Sequence, residues 1–87
     1  MKLPLNFAIL KHFTTVDEAC AADVVAALRP EYGSFKLLNE KDVYEALFTG
    51  QTNGFLAETR CEMTDGHLRV YFTAPSEGRE TINKYIP

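Results

Sequence analysis

The sequence has no tryptophan, two cysteines among 87 residues, and no long apolar run. Each shortage closes off a class of protein. Cys20 and Cys61 cannot build the disulfide framework of a small secreted scaffold, and their separation matches no metal or redox spacing. They read as structural thiols on buried faces in a reducing cytoplasm. No stretch reaches the roughly 18 apolar residues of a membrane span. The stretch "KLPLNFAIL" is interrupted by Asn6 and followed at once by Lys11 and His12, which is not the form of a secretory leader. A cytoplasmic chain without membrane association is expected.

Cations are also scarce. Lys and Arg number 9 against 12 Asp and Glu, a net charge of −3, whereas nucleic-acid binders usually carry a basic total or a dense basic stripe. The five glycines are dispersed at 33, 50, 54, 66 and 78, so no glycine-rich phosphate loop can form. His12 and His67 have no Cys, His or carboxylate at metal-ligand spacing, and nothing pairs them with a nucleophile. A chain this short also leaves little volume for a substrate cleft beside its core. No cofactor, metal or catalysis is expected.

What is present is an ordinary globular composition, 46% hydrophobic and 24% charged, sized for one domain over residues 1–87. Pro4 suits a helix start, and Leu5, Ile9 and Phe13 repeat every fourth residue with Leu10 beside them, predicting a first helix that ends near Phe13. "TVDE" (Thr15 to Glu18) has the form of a capping box. The helix it would open carries Cys20, Val24 and Leu28 on one line and should stop at Arg29, because Pro30 disfavours helical geometry in the preceding residue. Gly33 marks a bend, and Asn39 is an expected N-cap for a third helix whose acidic first turn suits the helix dipole. In that helix Val43, Leu47 and Phe48 should face inward, with weakening at Gly50 and a stop at Asn53–Gly54.

The strongest local signal is "AETRCEMTDGHLRVYFT". Asp65–Gly66 suits a two-residue hairpin turn, since both positions tolerate positive φ. That turn sets Thr64 opposite His67; on one face it then sets Met63 opposite Leu68, Cys61 opposite Val70 and Thr59 opposite Phe72, a mostly apolar face. The other face places Glu62 opposite Arg69 and Arg60 opposite Tyr71, an opposite-charge pair and a cation–aromatic pair. Pro75 and Ser76 then start a last short helix with Ile82, Tyr85 and Ile86 on one side.

In order, Val43-Tyr44-Glu45-Ala46-Leu47, Gly54-Phe55-Leu56 and "VYFTAPSEGRE" (Val70 to Glu80) resemble the winged helix-turn-helix regulators of the PadR and MarR kind. In those families the third helix reads "VY-x-AL", a "GLL"-like end leads into the hairpin, and the second wing strand runs into "YRLTPEGRE". The resemblance spans about Asn6 to Ile86. It implies an α+β fold: three helices, a two-stranded hairpin wing and a short C-terminal helix. It further implies double-stranded DNA binding by the third helix, with the wing on the backbone or minor groove, usually in a symmetric dimer.

Carried over residue by residue, the nucleic-acid candidates are Lys36, Lys41, Thr49, Arg60, His67 and Arg69. Only Lys41 among the outward positions of the third helix is a cation, while Glu40, Asp42 and Glu45 would face phosphate. Three readings therefore stand open. The chain is a weak or non-sequence-specific DNA-binding or transcription-associated protein, or it is an interaction module that binds no DNA, or it is a small accessory protein with neither use. The module would meet a basic protein surface through Glu40, Asp42 and Glu45. The apolar last helix, through Ile82, Tyr85 and Ile86, is a second docking face and a means of homodimer formation.

Overall fold

A computed structural model describes residues 3–87 as a small α+β domain with four helices and a three-stranded antiparallel sheet. Helix α1 (Leu5–His12) starts at Pro4 and buries Ala8 and Ile9, and its cap residue Phe13 is fully buried. The four-residue stripe thus does what its spacing predicts.

The next segment departs from expectation. Thr15 donates its hydroxyl to the His12 carbonyl (2.7 Å), finishing α1 rather than opening the second helix. Ala19–Cys20 form a short strand, β1, opposite Phe72 and Tyr71. Helix α2 (Ala21–Tyr32) therefore starts later, where the Cys20 N–H donates to Asp23 Oδ2 (3.2 Å) and replaces the predicted box. Nor does α2 stop at Arg29. Pro30 lies inside it on the exposed side, and the last turn is anchored by buried Tyr32, whose hydroxyl donates to the Leu3 carbonyl (2.5 Å). Tertiary anchoring outweighs the local cost of proline here.

Helix α3 (Glu40–Thr52) is capped as expected: Asn39 Oδ1 accepts from the Asp42 N–H at 2.9 Å. Val43 and Leu47 are fully buried, but Phe48 is 53% exposed, so the inward face is narrower than predicted. Gly50 does not weaken the helix; its bare Cα lets Leu56 and Leu10 close over it. The helix ends through Asn53 and Gly54, the latter at φ 84°.

Strands β2 (Ala57–Thr64) and β3 (His67–Thr73) turn at Asp65–Gly66 with positive φ at both residues, as a tight hairpin demands. Every predicted pair from Thr64–His67 to Arg60–Tyr71 is formed. Beyond it a bulge intervenes, and Phe72 stands opposite Glu58 rather than Thr59. With β1 added, the sheet order is β1-β3-β2, three strands where two were expected. The hairpin outruns the helices: Phe72 is buried, Val70 half-buried, and Leu68 62% exposed. Cys61, expected to be buried, is exposed for the same reason, while Cys20 is buried.

Helix α4 (Ser76–Tyr85) returns against α1. A Cβ at Gly78 would collide with the Phe55 carbonyl, so the close crossing there needs glycine. Ile82 and Ile86 are buried in the chain's own core, leaving Tyr85 as the surface member of the expected apolar set. Arg79 ties α4 to the segment after α1, donating to the carbonyls of Ala74 (2.8 Å), Val16 (2.6 Å) and Thr14 (3.4 Å). Phe13, Val24, Val43, Leu47, Phe72 and Ile82 centre the core, each burial contributing about 1.5–3 kcal/mol.

Candidate interaction surfaces beside the third helix

Two hollows flank α3. The larger, about 450 Å³, opens between α1 and α3 and is floored by Leu5, Phe7, Leu10, Leu37 and Phe55. Phe7 and Leu37 remain exposed, Leu37 at 61%, because Leu38 takes the buried position at this turn. The α3 wall of the hollow carries Asp42, Glu45 and Thr49. Asn39 Nδ2 donates to Asp42 Oδ2 (2.6 Å), which fixes that carboxylate in the first turn. The volume falls in the range of ligand sites, so the expectation of no cleft beside the core does not hold. Its lining is apolar with carboxylates at one wall, and no nucleophile–base pair converges there.

The smaller hollow, about 260 Å³, lies between α3 and the hairpin, bounded by Glu40, Lys41, Tyr44, Leu68 and Arg69. Tyr44 stacks on Phe48 (centroids 6.4 Å) and tilts against buried Phe72 (6.2 Å), so aromatic carbon occupies much of the face that a DNA reader would make cationic. Leu68 and, opposite it, Met63 extend this apolar surface.

The predicted nucleic-acid residues are divided. Lys41 and Arg69 come together at the smaller hollow, but Thr49 faces the larger one. Lys36 is exposed in the loop before α3, and His67 is exposed beside the hairpin turn. Arg60 is already engaged. It lies 3.9 Å over the Tyr71 ring, meets Glu18 at 2.7 Å, and pairs with Glu62. The hydrogen bonds from Arg60 and Thr59 hold the Glu18 carboxyl below its usual range. Arg69 lies opposite Glu62 as predicted, yet Glu62 pairs with its strand neighbour Arg60, and Arg69 Nη1 approaches Cys20 Sγ at 3.9 Å.

Sequence reasoning did not anticipate Arg79, Lys11 or Glu18 as structural ties. Lys11 donates to Asn83 Oδ1 (2.7 Å) and to the Ile86 carbonyl (2.9 Å), across 72 and 75 residues of chain. Contacts this distant leave no local signature. The α1–α3 hollow has no local signature for the same reason. Among the described residues, no cluster of His, Cys, Asp and Glu is placed to hold a metal, and no helix is long and apolar enough to cross a membrane. No family model, curated protein or solved structure matches the chain.

Proposed function

We propose that this protein is an interaction module of winged-helix type that docks a basic amphipathic segment of another protein in the groove between α1 and α3. One observation carries the reading: Asp42 and Glu45 line one wall of an apolar hollow of about 450 Å³. An amphipathic helix presents apolar anchors to such a groove at i, i+3, i+4 and i+7. Lysines or arginines flanking those anchors would meet the two carboxylates. Rim charges of this kind add little affinity but raise the association rate and select the partner's sign.

DNA binding is the second reading, and Lys41 with Arg69 at the smaller hollow is what favours it. Against it, Arg60 is neutralised by two carboxylates, and Tyr44 and Phe48 occupy the outward face of α3. Specific DNA recognition draws half or more of its hydrogen bonds from phosphate contacts, and few free cations remain here to supply them.

The test is fluorescence polarisation with a labelled helical peptide carrying leucines at helical spacing and lysines beside them. It should bind at low salt, and the same peptide with glutamates in place of the lysines should not. Glu45→Lys and, separately, Leu37→Ser should each weaken it by about tenfold, roughly 1.4 kcal/mol. Equal binding of both peptides, or indifference to both substitutions, would sink the reading. Salt-sensitive binding of duplex DNA that disappears in Lys41→Glu and Arg69→Glu would support the second reading instead.

A further inference from the structure

Strand β2 is the last strand of the sheet, and from Glu58 to Thr64 it is exposed throughout. An edge of this length presents a row of backbone donors and acceptors able to pair with another strand. We infer that this edge pairs antiparallel with β2 of a second copy of this chain, about a two-fold axis through Cys61.

The side chains select that register. In an antiparallel pair with a two-fold axis normal to the sheet, facing residues share one side, so the axis must pass through a residue rather than between two. Centred on Arg60, the pairing sets arginine against arginine. Centred on Glu62, it sets glutamate against glutamate. Thr59 is the extra residue of the bulge between Glu58 and Arg60, so no regular pairing centres on it. Centred on Cys61, the pairing places Arg60 of each copy opposite Glu62 of the other, with the bulge at Thr59 falling outside these pairs.

Within one copy Arg60 already pairs with Glu62. In the proposed dimer the four groups alternate in sign around a square, so the internal pairs persist while two new ones form. Opposite-charge neighbours favour cross-strand pairing and like charges oppose it. The same two-fold axis keeps faces aligned. It joins the exposed apolar strips of both copies, Met63 (70% exposed) and Leu68, into one surface on a single side of the sheet. It also brings the exposed Cys61 thiols together at the axis, at a Cα separation of about 5.5 Å if the pair is hydrogen-bonded, within disulfide range. The inference does not rest on the α1–α3 groove, which involves other elements.

Sedimentation velocity tests it with Arg60→Glu and Glu62→Arg, both exposed positions. The wild-type chain should show concentration-dependent dimerisation, and each variant should associate roughly tenfold or more weakly, since both cross-strand pairs become repulsive. An equimolar mixture of the two variants should dimerise again. In the mixed dimer one copy carries carboxylates at both positions and the other carries guanidinium groups at both, so each facing pair is attractive. Copper(II)–phenanthroline should then link the wild-type dimer through Cys61, two thiols yielding one disulfide while two protons are released and two electrons pass to the oxidant. Cys61→Ser should abolish the link, because Cys20 is buried. A wild-type chain that stays monomeric at near-millimolar concentration, or a mixture that associates no better than its components, overturns the inference.

Discussion

The two flanks of α3 belong to one helix, yet they carry different chemistry. Towards α1 the helix shows Asp42, Glu45 and Thr49 over an apolar floor; towards the hairpin it shows Glu40, Lys41 and Tyr44, with Arg69 across the gap. One helix thus presents two chemically different surfaces. The difference arises from what packs beside it. Helix α1 brings mostly hydrocarbon, with Asn6 among it, whereas the hairpin brings alternating charged and apolar residues.

Leu47 is fully buried under both flanks, so Leu47→Ala should cost about 2–5 kcal/mol and degrade both together, read as a shift in the urea midpoint at unchanged slope. A midpoint within error of wild type would show that α3 is not the shared support. Asn39→Ala is smaller and more selective. Removing the cap should cost about 1 kcal/mol and loosen the turn that holds Asp42, so the α1 flank should lose peptide affinity while the hairpin flank keeps its geometry.

Leu68→Ala, at the exposed hairpin end, should change stability by less than about 0.5 kcal/mol, which separates the hairpin tip from its buried base at Phe72. A cost as large as that of a core residue would mean that the tip is covered in the free chain.

The least of these effects is a pH dependence. Burial lowers the His12 pKa from its ordinary 6.5, with Asp23 partly opposing the shift. The protonated form is then disfavoured in the folded chain, so the contribution of neutral His12 is fully present above 6.5 and is lost as pH falls below it. Urea midpoints at about pH 7.5 and about pH 5.5 should differ in the wild-type chain and differ less in His12→Gln.

Much of the fold was legible because it rests on local chemistry. Asp65 and Gly66 accept positive φ, Asn39 supplies a cap oxygen, and alternation along the hairpin assigns each residue to a face. A face is not a depth, however. Cys61 and Leu68 lie on the same side as Phe72, but the helices end before reaching them, so only the base of the hairpin is buried. Strand β1 is two residues long, too short to alternate, and Pro30 stays helical only because Tyr32 is anchored from elsewhere.

The candidate site was legible as charge and not as shape. Glu40, Asp42 and Glu45 mark an acidic helix by their positions alone. The hollow that two of them line is assembled by α1, the α2–α3 loop and Phe55, whose convergence no spacing within α3 encodes. The same holds for the cations: in one dimension Arg60 is a partner for Tyr71 or for phosphate, and in three it stacks on Tyr71 and is also held by Glu18 from 42 residues away.

Docking of a basic helix in the α1–α3 groove is read by a nitrogen-15 NMR titration of the chain with the leucine–lysine peptide. Amide shifts should concentrate on Phe7, Leu10, Glu45 and Phe55 and be strongly reduced in Glu45→Lys. Shifts concentrated instead on Lys41, Leu68 and Arg69, or a pattern unchanged by Glu45→Lys, would contradict it.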